Sequence, residues 1–467
     1  SLDRQVIPLG ERRTVRIGGV ARGPIALRAE GGKASPVGAV LRGGVLTLTG
    51  KDLGRDSLVL EREGATARVD VKVLHYAADF RGAEPVPLTG AGIRADALAT
   101  LVARRAREAT LGRPGATVTL DPAPEKVAPP RPGGDKVVPV WVSVDGPDLI
   151  PVRRAVRVPL RSRPLPREET KALFFSNDPE RFSDFGTLYV GRVDRSPARL
   201  LWHHQNGLQS PVWFVVELIN DTDAPMRVQA VGADAGPVRD TVWVGYRAAS
   251  DFLTDFKGDS GVVLDIAPRS RMAVRATRLP SGLSLSGLMQ FRVVAGGAPM
   301  VRVAADRLGD SLTVPGILAN HPVHEALVQE ANRLSEHVYT TPQKTLKVRY
   351  RVGGRYGMVF LGRAPVERPG GVLDGCYGVF YDIDVELENP TSAPADVRFV
   401  LEPAAGLTGG VFLIGDKRVE IPQINLPKEK LLERIRLAPG ATRTVRMRTI
   451  PLSGSNYPVN IWIRSGR

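Results

Sequence analysis

One cysteine, Cys376, stands in a chain of 467 residues, so no intrachain disulfide can hold the fold. No run of about 20 apolar residues occurs, which excludes a membrane-spanning helix. No glycine-rich loop opens a helix in the pattern that cradles phosphates. Aromatic residues make up 6% and do not interleave with the densest basic run. Stacking platforms for single-stranded nucleic acid are therefore not visible, and nucleic acid is not an expected partner. No secretory leader is recognisable at the amino end, and the expectation is that one has been removed.

What is present points to strands. Glycine and proline number 49 and 38, which suits many short strands joined by turns. A hydrophobic content of 43% suffices for ordinary cores, and 467 residues suffice for three or four domains. The net charge is +15, carried mostly by arginines scattered among acids. Such scatter reads as a solvated surface, and the sharper alternative is attraction to a polyanion.

The chain contains an internal echo. Residues 216–228 read VELINDTDAPMRV and residues 385–397 read VELENPTSAPADV. They align without a gap. Further on, LDIAPRSRMAVRATRLP (264–280) echoes IRLAPGATRTVRMRTIP (435–451). Two shared blocks in the same order imply a duplicated β-domain. Within it, Tyr377, Val379, Tyr381, Ile383, Val385 and Leu387 alternate with Phe380, Asp382, Asp384, Glu386 and Glu388. That is the pattern of a strand with one dry and one wet face. Asn206-Gly207, between apolar runs at 198–205 and 212–219, predicts a hairpin turn.

In order, residues 1–76 read as a small β-domain with strands at 15–17, 25–27, 45–49, 57–60 and 67–73. Residues 77–168 read as a mixed α/β segment. It has a helix over 95–110 stopped at Gly112, and strands at 116–120, 137–144 and 155–159. A proline-rich connector spans 121–135. The first repeat occupies 169–305 and the second 342–467. Between them, 306–341 reads as a helical linker. Asn320 is its expected cap, and Ala326, Leu327, Ala331, Leu334 and Val338 form its apolar face. The fold class is thus mainly β: tandem antiparallel sandwiches preceded by a small immunoglobulin-like domain and a mixed segment.

Candidate chemistry is sparse. Gly258-Asp259-Ser260-Gly261 has the look of a serine-nucleophile loop, but no histidine context suited to a base accompanies it, so a turn is the better reading. His203 and His204 are adjacent and point to opposite faces of one strand, so they do not share a metal. His321 and His324, with Glu325 and His337 beyond, lack a third zinc ligand at a recognisable spacing. Asp178, Glu180 and Asp184 share a loop and are weak calcium candidates, without the EF-hand rhythm. The acidic stripe of residues 382–388 is better matched to Arg446 and Arg448 across a sheet. Arg153, Arg154, Arg157, Arg161 and Arg163 form the densest basic run, with no acid between Asp148 and Glu168. They are the candidate polyanion-binding residues, although alternation along a strand lets only about half of them face one ligand. No catalytic residue and no cofactor is nominated.

Two resemblances follow from particular segments. Residues 43–73, GGVLTLTGKDLGRDSLVLEREGATARVDVKV, resemble bacterial immunoglobulin-like and pilus-assembly amino-terminal modules. Four further segments are LFFSNDPERFSDFGTLY (173–189), ARLLWHHQNG (198–207), LDGCYGVFYDIDVELENPT (373–391) and IPLSGSNYPVNIWI (450–463). Together they resemble a family of exported, largely uncharacterised bacterial β-sandwich proteins, relatives of which are often joined to copper-amine-oxidase-like stalk domains. The resemblance implies export and a sandwich pair. It brings no catalytic residues, and the stalk name carries no oxidase activity. The expected role is a non-catalytic binding or structural one in the envelope, periplasm or extracellular space. Surface polysaccharide, another anionic envelope polymer or another envelope protein is the expected partner. The alternatives are a self-assembling surface-layer or fibre subunit, and a hydrolase of surface glycans or peptides.

Overall fold

Alternating apolar and polar residues, broken by glycine and proline every few positions, become strand almost throughout the computed structural model, and the protein is mainly β. The structure describes residues 4–18, 24–90, 92–307, 320–331, 338–362, 366–368 and 371–466. The chain divides into two compact units: residues 1–86, 94–130 and 135–161 form the first, and residues 87–93, 131–134 and 162–467 the second.

The first unit begins with β1 (Arg4–Pro8), β2 (Arg12–Arg16), β3 (Ala26–Ala29), β4 (Val37–Arg42), β5 (Val45–Gly50), β6 (Gly54–Arg62) and β7 (Ala65–Leu74). They form a sheet β1-β7-β6-β3 and a sheet β2-β5-β4. Ile7, Leu46, Leu48, Leu58, Val69, Val71 and Val73 fill the core of this part. β1 and β4 add to the strands expected from sequence, and β1 runs parallel to β7. Then come β8 (Ala78–Phe80), β9 (Val86–Leu88), α1 (Ala95–Glu108), β10 (Thr110–Gly112), β11 (Thr117–Leu120), β12 (Asp135–Asp145) and β13 (Val152–Ser162). Helix α1 buries Leu98, Val102 and Ala106, one per turn on one stripe. It stops before Gly112 because residues 110–112 pair with β8; Gly112 is a strand residue and not a cap. Strands β11, β12 and β13 form an antiparallel run.

The second unit holds both repeats. The first repeat contains β14 (Ala172–Ser176), β15 (Arg181–Phe182), β16 (Gly186–Arg192), β17 (Ala198–Asn206), β18 (Val212–Asn220) and β19 (Met226–Val238). It continues through α2 (Thr241–Lys257), β20 (Val262–Ile266), β21 (Ser270–Leu279), β22 (Ser284–Ala295) and β23 (Met300–Arg307). After it come β24 (His321–Pro322), α3 (Glu325–Ala331) and β25 (Val338–Tyr339). The second repeat contains β26 (Gln343–Arg351), β27 (Gly357–Leu361), β28 (Val366–Arg368), β29 (Gly371–Leu373), β30 (Phe380–Glu388) and β31 (Ala395–Pro403). It ends with β32 (Thr408–Ile414), β33 (Lys417–Ile424), β34 (Lys430–Leu437), β35 (Thr442–Thr449) and β36 (Val459–Ser465).

The repeats use equivalent strands. One sheet of the first repeat contains the run β20-β19-β22-β17, and the second repeat answers with β34-β31-β36-β27. The echoed strands β18 and β30 pair antiparallel with β21 and β35 in the opposite sheets. On the far flank the repeats differ. β18 takes β23 antiparallel, whereas β30 takes β26 parallel. The sandwiches are therefore not purely antiparallel, and β14 and β15 also run parallel to β17.

The shared asparagines explain the echo. Asn220 is fully buried where the chain leaves β18 for β19 in the other sheet. Its Nδ2 donates to the carbonyls of Ala224 (2.8 Å) and Ala267 (3.0 Å), and its Oδ1 accepts from Thr222 N (3.0 Å). Asn389 repeats this with Ala393 (2.9 Å), Ala438 (3.0 Å) and Thr391 N (3.2 Å). Crossing from sheet to sheet leaves carbonyls without ladder partners, and a buried amide supplies both donors they need. Asn206 plays the same part, bonding the carbonyls of Ser210 (2.9 Å) and Leu279 (3.0 Å) and Leu208 N (2.9 Å). The hairpin expected at Asn206-Gly207 is thus an arch: β17 pairs with β22, and β18 lies in the other sheet.

Between the equivalent strands β19 and β20, the first repeat inserts α2; between β31 and β34 the second inserts the hairpin β32–β33. Asp240 caps α2 by accepting from Trp243 N (2.9 Å). The helix buries Val242, Val244, Tyr246, Ala249, Phe252 and Leu253, more than one face, because one core runs from the first repeat through α2 into the second. A Cβ at Gly245 would land on the Ser453 carbonyl, so only glycine permits this approach.

The segment between the repeats is not only a linker. β24 pairs with β21 and β25 with β14. Asn320 does not cap a helix: its side chain bonds Ala267 N (2.9 Å) and the Asp265 carbonyl (3.1 Å). The helix starts later, at Glu325, because residues 321–322 are held at the sheet edge. Val323, Leu327 and Val328 pack against Val190, Ile219 and Met300. Leu334 and His337 lie outside the described residues.

Candidate functional site

The basic run falls on β13 and divides as strand alternation requires. Arg153, Arg157 and Arg161 are exposed, while the interleaved Val156, Val158 and Leu160 are buried. Arg154 projects to the other side, its guanidinium 5.5 Å from the centre of the Phe80 ring. Arg163 follows the end of β13 and belongs to the second unit. There it donates to the Ser162 carbonyl (2.8 Å). Three of the five candidates therefore share a face, spaced about 14 Å apart at four residues per step.

The partner strand β12 changes the meaning of that face. Ala155 is opposite Trp141, Arg157 is opposite Pro139 and Pro159 is opposite Val137. Residues in register across a sheet share a face. Trp141 is 45% exposed and Val137 47% exposed, while Val140, Val142 and Val144 on the other side of β12 are buried. Arg153 lies 4.9 Å from the centre of the Trp141 ring, a cation–π contact. Its ion pair with Asp121 is long, 3.8 Å, between side chains more than half exposed. Such a pair contributes little and leaves the guanidinium available. Arg161 is opposite Asp135. The face thus combines a flat indole, a small apolar patch and guanidiniums presented to solvent. That arrangement can stack on a ring and accept anionic groups at the same time. The aromatic that does not interleave along the basic run is supplied by the neighbouring strand. The signal was present as the apolar–polar inversion at Val137, Pro139 and Trp141.

The other candidates take structural places. Asp178, Glu180 and Asp184 are all exposed, and no metal-holding group of three such side chains occurs among the described residues. Arg181 and Phe182 pair with β17, and this draws the chain into the sheet between the outer acids. Although Glu180 reaches solvent, partial desolvation by the surrounding chain raises its carboxyl above the usual range. His321 sits on β24 and His324 before α3, with no third ligand gathered among the described residues.

His204 is fully buried, with its ring nitrogens at Ser176 Oγ (2.8 Å) and the Pro179 carbonyl (3.1 Å). Burial pushes His203 down to about 4; burial, with the neighbouring histidine, pushes His204 to about 3. Both are neutral packing residues, and neither bonds Ser260. Ser260 is itself buried, and its backbone N donates to the Asp255 carbonyl (2.8 Å). Asp259 adopts a positive φ of 50° and accepts from Gln229 Nε2 (3.2 Å). Burial raises its carboxyl. The Gly-Asp-Ser-Gly sequence is a tight turn.

The acidic stripe on β30 is paired on both flanks. Asp382 binds Arg448 (2.5 Å) and Asp384 faces Arg446 (3.9 Å), while Glu386 binds Arg349 (2.5 Å) and Glu388 faces Arg351 (3.5 Å). Phe380, placed by alternation on the wet side, is buried under Arg199, whose guanidinium lies 4.0 Å from its ring centre. Arg199 is fully buried and donates to the Gly378 carbonyl (2.8 Å) and to Thr170 Oγ1 (3.0 Å). Burial, then Arg448, lowers it to about 9. A cleft of about 690 Å³ at this junction is lined by Thr170, Phe256, Gln290 and the Asp382–Arg448 pair, among others.

No family model matches the chain, and no curated protein matches it. Among solved structures, a chimeric titin Z1Z2 shows 12% identity over 34% of this chain and 93% of its own, with a TM-score of 0.15. Lac15 from a marine microbial metagenome shows 13% identity over 99% and 87%, with a TM-score of 0.13. An endo-fucoidan hydrolase of glycoside hydrolase family 107 shows 12% identity over 44% and 36%, with a TM-score of 0.16. Likenesses this distant carry no argument about activity.

Proposed function

We propose that this protein is an exported component of the bacterial envelope that binds an anionic polymer without chemically altering it. The observation that carries the reading is the β12–β13 face. Arg153, Arg157 and Arg161 share it with an exposed Trp141 on which Arg153 is stacked. The exposed indole offers a flat apolar surface with a polar edge, and guanidiniums match carboxylate and sulfate oxygens better than ammonium groups do. The overall charge of +15 adds a general attraction. The envelope location rests on the resemblance of residues 173–189, 198–207, 373–391 and 450–463 to exported proteins.

The test is retention on heparin resin and on immobilised acidic polysaccharide. The wild type is compared with Arg157→Glu/Arg161→Glu and with Trp141→Ala. Exposed charges are screened within about 8–10 Å at physiological salt, so the double variant should elute at clearly lower salt. Trp141→Ala should weaken binding to the polysaccharide by roughly tenfold. Equal retention of all three proteins would remove this face from consideration.

A further inference from the structure

Sheet β27-β36-β31-β34 of the second repeat has an outward face whose residues fall into three rows. Met358, Trp462, Val400 and Leu431 are aligned directly across the four strands. Met358 is 43% exposed and Leu431 44% exposed, whereas Val400 between Trp462 and Leu431 is only 9% exposed; Tyr356 meets Trp462 edge-on at 4.9 Å. Two residues along in one direction on β36 and β31, and three on β34 where the register shifts, Arg464, Arg398 and Arg434 stand directly opposite one another. Two residues along in the other lie Phe360, Asn460 and Glu402, of which only the last two are polar.

The arginine row opposes the usual rules of sheet stability. Like charges directly opposite on neighbouring strands repel, yet here three are in register. Arg464 has a carboxylate, Glu429, at 2.7 Å. Arg398 donates to the Gly466 carbonyl (2.9 Å). Arg434 makes no ion pair with a described residue, and the nearest row of opposite charge is Asp396 facing Arg436. Asn460 and Glu402 hold the edge of the indole. Glu402 Oε2 takes Trp462 Nε1 (2.5 Å) and Asn460 Nδ2 (3.0 Å), fixing the indole. Asn460 Oδ1 is left buried without a partner.

We infer that this face is a second binding face, and that its occupant is an acidic polysaccharide. Four strands span about 14–15 Å and the apolar row is one residue wide. The exposed part of that strip, Met358 beside Trp462, matches the apolar face of a pyranose ring. It is much smaller than the roughly 800 Å² per partner of a stable protein interface. Guanidiniums along one edge suit carboxylates or sulfates. A single-stranded nucleic acid would find no row of aromatics for its bases. The inference shares its ligand class with the proposed function but rests on different residues in the other unit.

The experiment is titration calorimetry of the full chain with oligogalacturonate. Neutral dextran oligosaccharide and double-stranded DNA serve as comparison ligands. Wild type is measured beside a first-face variant (Trp141→Ala/Arg157→Glu), and beside that variant carrying either Trp462→Ala or Arg434→Glu. Arg434→Glu alters only an exposed side chain, so it remains informative if the tryptophan change perturbs folding. The first-face variant should lose that face's share of the binding and keep the remainder supplied by the second face, and either added change should weaken this remainder about tenfold or more. Loss of all binding in the first-face variant would overturn this inference while leaving the other face standing. Unchanged binding after Arg434→Glu would overturn it too, as would equal affinity for dextran or DNA.

Discussion

The two repeats place the same glutamate in opposite surroundings. Glu217 and Glu386 occupy matching positions of the echoed block, each on a strand at the heart of its sheet. In the first repeat, Glu217 lies between Arg302 (2.8 Å) and Arg271 (3.1 Å), and all three side chains are almost fully buried. In the second, Glu386 pairs with Arg349, whose side chain is 86% exposed. The flanking strand makes the difference. β23 comes antiparallel from the end of its unit and brings Arg302; β26 comes parallel from the start of its unit and brings Arg349. Duplication preserved the sandwich and its asparagine arches, whereas the outer faces were free to diverge.

The largest contrast should appear at those glutamates. Glu217→Gln should destabilise by about 3–5 kcal/mol, because removing one partner leaves buried charge uncompensated. Glu386→Gln should cost at most about 1 kcal/mol, as exposed pairs do. Urea unfolding of the two variants measures this, and equal losses would break the comparison. The asparagines should behave alike instead. Asn220→Ala and Asn389→Ala each leave buried carbonyls unsatisfied and should each cost about 2–4 kcal/mol. A difference much larger than 1 kcal/mol between them would show that the shared hydrogen bonds do not carry equal weight.

The smallest effect concerns pH and also separates the repeats. His203 and His204 belong to the first repeat, and residues 342–467 contain no histidine. Both histidines have folded values pushed far below that of the unfolded chain, to about 4 and about 3. Between the unfolded value and those folded values the unfolded chain binds more protons, so stability falls as pH falls. From pH 7 to pH 6 the loss should be roughly 0.5–1 kcal/mol per histidine, growing on further acidification. Melting temperatures across this range, wild type against His203→Gln, check it. An equally steep slope in the variant would remove His203 from the account.

Much of the candidate site was legible and its decisive partner was not. Alternation correctly split Arg153, Arg157 and Arg161 from Arg154. It could not show that Trp141 shares their face, because that depends on the register of β12 against β13. The same limit hid the arginine row of Arg464, Arg398 and Arg434, which are distant in sequence and adjacent only across strands. Helix α2 went unread although Asp240 and the spacing of Val242, Tyr246, Ala249 and Leu253 announce it. The surrounding strands set the expectation of more β.

By itself the sequence determined the mainly-β class, the duplication and the strands carrying each echoed block. These follow from local periodicity and from turn residues acting within a few positions of one another. Tertiary structure alone decided that Asn206 makes an arch and not a hairpin, and that Phe380 is dry. It alone decided that Glu217 is buried and Glu386 is not. Each of these depends on which strand or helix arrives from far along the chain to cover a face. Pairing between distant strands is fixed by the packing of the whole unit, which no local window contains.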